Sequence, residues 1–190
     1  MKIPSTSKQP KVLKAHITQL EMAAAPRQSI VLPVNLHTAV MGVPEMPLAY
    51  YRFLYSQVGR RWNWVDRLRM TDEQLSAILN DKRTHITVLY VNGAPAGFVE
   101  LFHATEELVE LSHFGLFEHA LGLGVGKWFL LQALYAAWAL EPKKVSVTTS
   151  NLDHPRALHL YQMFGFNPVS TSDALVRPLS DEEWLALAKR

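Results

Sequence analysis

The chain has 190 residues, no cysteine, and 19 Lys plus Arg against 17 Asp plus Glu, for a net charge of +2. The missing thiol excludes a cysteine nucleophile, a thiolate metal site and a disulfide framework, and so even a charge balance leaves no footprint for nucleic acid. With 48% hydrophobic and 19% charged residues, the composition is that of a globule of ordinary size, which buries roughly 70% of its unfolded surface and needs no metal or disulfide to hold a core.

Residues 1–10 are polar with two prolines and read as a disordered lead-in. A weakly alternating first strand is expected over 11–23. Pro26, Pro33, Pro44 and Pro47 then break up a stretch of loop and short elements. Pro47 suits the first turn of a helix over 49–57, and Thr71 with Gln74 forms a capping-box pattern ahead of Leu75, Ile78 and Leu79 at helical spacing. Residues 84–91 alternate as a strand, Asn92-Gly93 predicts a tight hairpin, and 96–102 returns as its partner.

A third strand spans 107–117, and after a glycine-rich turn an apolar helix runs from about Lys127 to Leu140, stopped by Pro142. Its apolar part is far short of the roughly 20 residues of a membrane span. A strand over 144–149, a helix over 155–164 ended by Gly165, and a strand or hairpin over 167–177 follow. Ser180 and Glu183 cap a terminal helix in 181–190. Hairpins followed by strand–helix–strand–helix–strand predict an α/β (α+β) domain over 11–180. No signal-peptide pattern opens the chain, so a cytoplasmic location without a membrane partner is expected.

The turn carries the chemistry. Gly122, Gly124 and Gly126 alternate between a strand and a helix, so the backbone can take positive φ and approach a ligand closely. The helix start adds unpaired N–H groups and partial positive charge, and Lys127 adds a formal one, which together suit a phosphate or pyrophosphate. A P-loop would need glycine where Leu121 stands and Ser or Thr where Trp128 stands. A dinucleotide fingerprint would need glycine at Lys127. Both fail.

The spacing that fits resembles the GNAT superfamily of acyl-CoA N-acyltransferases, whose pyrophosphate loop reads Arg/Gln-x-x-Gly-x-Gly/Ala. Leu121, Gly122, Leu123, Gly124, Val125 and Gly126 match its two glycines, with Leu121 in place of Arg or Gln. A second family pattern, Asn-x-x-Ala-x-x-x-Tyr-x-x-x-Gly-Phe, aligns with His154, Ala157, Tyr161, Gly165 and Phe166; His154 replaces Asn, and Asn151 stands nearby as a substitute. The resemblance covers roughly residues 84–170. It implies a single GNAT-like domain, with a mixed, mostly antiparallel sheet of about six to seven strands flanked by helices.

The same resemblance implies acetyl-CoA as cosubstrate and direct transfer to an amine of a small molecule or protein. Two parallel strands would part to admit the pantetheine arm beside Phe114, Gly115 and Leu116. The pyrophosphate would lie on residues 121–127, with Asn151, His154 and Ala157 nearby. Tyr161 would protonate the departing thiolate, since a phenol and a thiol have similar proton affinities.

An ammonium acceptor must lose a proton, and Glu100, Glu110 and His113 are the candidate bases, Glu110 first and His113 second. By period two, Glu110, Ser112 and Phe114 share one strand face, Leu111 and His113 the other. No His-Glu-x-x-His pattern exists, and no metal is expected. Tyr50, Tyr51, Phe53, Tyr55, Trp62 and Trp64 lie where the family's acceptor-binding helices fall, which suggests an apolar or aromatic acceptor. Two other readings stand beside catalysis: an acyl-CoA sensor with the same fold, kept open by Leu121 and His154, and a nucleotide-binding protein using the same turn. A monomer and a homodimer are both compatible with the sequence.

Overall fold

The computed structural model describes residues 10–187, so nearly all of the lead-in expected over 1–10, and residues 188–190 of the helix expected over 181–190, lie outside the described residues. Seven strands form one sheet: β1 (Leu13–Met22), β2 (Thr38–Gly42), β3 (Thr84–Val91), β4 (Ala94–Thr105), β5 (Leu108–Leu116), β6 (Lys144–Ser150) and β7 (Asn167–Val176). Their order is β2-β3-β4-β5-β6-β1-β7. Only β5 and β6 run parallel; every other neighbouring pair is antiparallel. This is the mixed, mostly antiparallel sheet that the resemblance implies. The N-terminal strand, however, is inserted between β6 and β7, with Leu20 opposite Val147 and Leu13 opposite Val176.

Helices cover both faces: α1 (Leu48–Gly59), α2 (Asp66–Arg69), α3 (Asp72–Leu79), α4 (Val125–Trp138), α5 (Ala157–Met163) and α6 (Asp181–Leu187). On one face, Phe129, Leu130 and Leu134 of α4 and Tyr161 of α5 pack with Leu89, Val99, Leu101 and Leu111. On the other, Tyr51 and Leu54 of α1, Leu68 of α2 and Leu75 of α3 pack with Val88 and Phe98. The four-residue α2 was not expected, because one turn is too short to show a helical period. The helix placed from Lys127 starts two residues earlier, at Val125, and the one placed from Pro155 starts at Ala157.

Several local signals act as the residue types require. Asn92 and Gly93 both have positive φ, 51° and 86°, the pair a two-residue hairpin demands. The Thr71 hydroxyl accepts from Gln74 N–H at 3.2 Å while the Gln74 side-chain Oε1 accepts from Thr71 N–H at 3.0 Å. Ser180 and Glu183 make the same reciprocal pair at 2.8 and 3.2 Å. At the end of α5, Gly165 (φ 98°) sends its N–H to Gln162 O and Phe166 N–H reaches Tyr161 O, a Schellman motif. The Phe166 ring then packs edge-on against Tyr161, 5.8 Å between centroids, so the turn that ends the helix also holds that tyrosine.

One irregularity changes the site. Across β4 and β5, Glu100 faces His113 but Leu101 faces Leu111, so Ser112 is a bulged residue. The bulge reverses the alternation expected for this strand. Leu111 and Phe114 pack on the same core as α4, whereas His113 turns to the α1 face and meets Tyr55. Gly115 lets α1 approach there: a Cβ at this position would lie 2.1 Å from Val58 Cγ1.

Candidate active site

The parallel ladder holds only from Leu108–Lys144 to Leu111–Val147. It ends at the bulge, where the hydrogen-bonding phase of β5 is broken. Beyond that point residues 112–116 of β5 and 148–150 of β6 line a cavity of about 900 Å³. The cavity passes between the strands. Tyr55, Val58 and Trp64 wall it from the α1 side, and Ala157, Leu160 and Tyr161 from the α5 side.

At the α4 end the cavity meets the glycine turn through Leu121, Gly122, Gly124, Gly126 and Lys127. Gly122 and Gly124 have φ of 80° and 81°, a conformation that strains any residue with a side chain. Gly124 is the N-cap of α4 and brings no capping side chain, so the first N–H groups of the helix are left for a ligand or solvent. A Cβ on Gly122 would meet open space; on Gly124 it would come 3.3 Å from Pro33 Cγ and on Gly126 3.3 Å from Leu116 Cδ1. Leu123 and Val125 do not line the cavity: Leu123 is exposed, and Val125 is sunk in the α4 core. Lys127 and Arg156 are the Lys and Arg side chains of the lining. Nearby Glu118 is paired with Arg61 at 2.7 Å.

The loop between β6 and α5 is organised by Asp153, a residue that no motif in the sequence marks. Its Oδ2 accepts from Ser150 N–H at 2.8 Å and the Thr149 hydroxyl at 3.1 Å, while Oδ1 accepts from Trp64 Nε1–H at 3.1 Å. His154 lines the cavity, and its Nδ1 accepts from Arg156 N–H at 3.1 Å in the turn that leads into α5. Burial, with Arg156 and Arg61 adding to it, lowers the proton affinity of this ring, in keeping with an acceptor nitrogen. Asn151 does not substitute for it. Its Oδ1 accepts from His16 N–H of β1 at 2.7 Å, and it lies outside the cavity lining because it is held on the neighbouring strand.

His113 lines the cavity between Tyr55 and Trp64, with ring centroids 5.0 and 5.2 Å away. Behind it lies Glu100, only 1% exposed. Glu100 accepts from Arg67 Nη2–H at 2.7 Å and from the Tyr51 hydroxyl, and its Oε2 is 3.3 Å from His113 Nδ1. That last contact is an ion-pair separation, not an aligned hydrogen bond. Burial works against the Glu100 charge, but the His113 ring, Arg67 and Tyr51 outweigh it and lower the carboxyl to about 2.

Glu100 is therefore a fixed anion and a poor base. Glu110, the first choice from sequence, lies outside the cavity lining, opposite Phe102 and Ser146 in the paired part of the sheet. Tyr161 is buried at the cavity wall and makes no hydrogen bond through its hydroxyl; burial, then the charge of Asp153, push that phenol well above its usual value. Among the described residues no cluster of three His, Cys, Asp or Glu is arranged to hold a metal, and no helix is long and apolar enough to cross a membrane.

Residues 50–166 match the family model of the Acetyltransferase (GNAT) family, and the chain belongs to that family. Solved structures share the fold. A functionally unknown conserved protein from Staphylococcus epidermidis superposes with a TM-score of 0.54 at 14% identity, over 88% of this chain and 64% of that one. An IAA acetyltransferase from Bacillus cereus gives 0.54 at 22% identity, over 70% and 79% of the two chains. A GNAT family acetyltransferase from Elizabethkingia anophelis with acetyl-CoA bound gives 0.53 at 19%, over 73% and 80%. The chain thus spans about two thirds of the length of the first of these. No curated protein matches the sequence.

Proposed function

We propose that this chain is an N-acetyltransferase that moves the acetyl group of acetyl-CoA directly to a primary amine. One observation carries the reading: a single cavity joins an uncapped, glycine-lined helix start to a gap between parted parallel strands, with an imidazole at the gap. In this reading the first N–H groups of α4, with Lys127, hold the pyrophosphate. Free backbone groups of residues 114–116 hold the pantetheine arm in the gap, as an added strand would be held.

The thioester supplies the acetyl group; the amine nitrogen bonds to its carbonyl carbon as the carbon–sulfur bond breaks. His113 takes the proton that the amine must shed, and the ionised Glu100 behind it favours the charge that then forms on the ring. The Tyr161 hydroxyl, kept protonated by its burial, donates a hydrogen bond to the departing sulfur in place of the closely matched proton transfer expected of an unburied phenol. Release of free thiol from acetyl-CoA in the presence of amines tests the proposal. His113→Gln should lower kcat at least about 100-fold while the Kd for acetyl-CoA stays within about twofold. Acetyl-CoA binding with no thiol release across a broad amine panel would instead mark a sensor.

A further inference from the structure

We propose that the acceptor is a small aromatic primary amine carrying a single positive charge. The inference rests on the acetyl-transfer reading and narrows its second substrate. The part of the cavity on the α1 side is walled by Tyr55, Trp62 and Trp64, with Ile17 of β1 and Val176 of β7 completing an apolar lining. The His113 ring lies in edge contact with both Tyr55 and Trp64. An amine presented to that ring therefore lies against aromatic side chains, which favour a flat apolar body and attract an ammonium head by cation–π contact.

The charge inventory limits the acceptor further. Two carboxylates line the cavity, Asp66 and Asp153. Asp153 is spent on Thr149, Ser150 and Trp64, which leaves Asp66 to face an ammonium group. Polyamines and aminoglycosides carry several ammonium groups, and burying each without a partner is unfavourable. Arg156 elsewhere in the lining would repel them as well.

A polypeptide acceptor is disfavoured by the connections across the cavity. Trp64 Nε1 is bonded to Asp153 at 3.1 Å, and the Trp62 ring meets the His154 ring at 5.3 Å. The segment between α1 and α2 is thus tied at two points to the loop before α5, and these ties would have to open to admit an extended peptide between them.

The test is an acceptor panel at saturating acetyl-CoA, read by thiol release, with acetyl-CoA binding measured separately by calorimetry. Tryptamine and phenethylamine should exceed spermidine, kanamycin and a lysine-containing peptide in kcat/KM by about 30-fold or more. Trp62 belongs to neither buried core, so Trp62→Ala should fold, and it should raise KM for tryptamine about tenfold with the acetyl-CoA Kd unchanged. Asp66→Asn should raise that KM similarly. Equal or better turnover of spermidine, kanamycin or the peptide overturns the aromatic-amine proposal and leaves acetyl transfer standing. Loss of acetyl-CoA binding, or binding without turnover of any amine, overturns both.

Discussion

Replacing Glu100 by Gln removes one negative charge from a place that water does not reach. The carboxylate is 1% exposed and its partner Arg67 16%. Glutamine keeps an oxygen for the Tyr51 hydroxyl but loses the charge held 2.7 Å from Arg67 Nη2 and 3.3 Å from His113 Nδ1. Breaking one side of a buried ion pair costs about 3–5 kcal/mol, and the retained tyrosine bond puts this change near the lower end, about 3 kcal/mol. For a chain of this length that lowers the melting temperature by roughly 6–12 °C.

The loss should depend on pH in a defined direction. The folded carboxyl is lowered from 4.5 to about 2, so its ionisation stabilises the fold above pH 4.5 and that contribution fades as pH falls toward 2. Urea titrations of wild type and Glu100→Gln at pH 7 should differ by about 3 kcal/mol, and the gap should close as both are taken below pH 4.5. A gap under about 1 kcal/mol at pH 7, or one that does not narrow in acid, would refute a buried anion paired to Arg67. The same variant should turn over about 10- to 100-fold more slowly, since the charge behind His113 is gone.

Other changes separate the roles of neighbouring residues. Tyr161→Phe should lower kcat by about ten- to a thousand-fold with little change in acetyl-CoA affinity. Its melting temperature should hardly move, because the lost hydroxyl makes no hydrogen bond; an unchanged kcat would remove it from the reaction. Glu110→Gln should leave thiol release within about twofold of wild type, and a loss comparable to that of His113→Gln would show that a group outside the cavity acts as base. Gly115→Ala places a methyl group 2.1 Å from Val58 Cγ1 and should destabilise by about 1–3 kcal/mol in urea titration, unless α1 is free to move away from β5.

Local signals are legible in the sequence because each is satisfied within a few residues. The Asn92-Gly93 turn, the capping boxes at Thr71 and Ser180, and the Gly165 helix end all depend on neighbours in the chain. The glycine turn belongs to this group, since strand, glycines and helix are consecutive. What escaped depends on distant pairing. The β1 strand finds its place between β6 and β7 through partners more than a hundred residues away, such as Leu20 with Val147. Asp153 bonds locally to Thr149 and Ser150, but its tie to Trp64 across the cavity joins residues 89 positions apart and leaves no mark in the sequence.

The separation of His113 from Leu111 onto opposite faces has a related cause. Period-two alternation holds only without a bulge, and the bulge at Ser112 is visible only once β4 is paired with β5. Glu100 had the same difficulty. In sequence it is one acid on a strand, and its role follows from Tyr51 on α1 and Arg67 on α2 closing over it. These two long-range features are why the proposed base is His113, which lines the cavity, and not Glu110, which does not.

The most direct measurement is a crystal structure of the protein with acetyl-CoA, supported by calorimetric titration of the same ligand. The pyrophosphate should rest on the backbone N–H groups between Gly122 and Gly126. The thioester should lie between residues 112–116 and 148–150 beside His113, and the titration should show saturable heat with a Kd on the order of micromolar. Acetyl-CoA found elsewhere on the molecule, or a titration without heat, would contradict the assignment of this cavity.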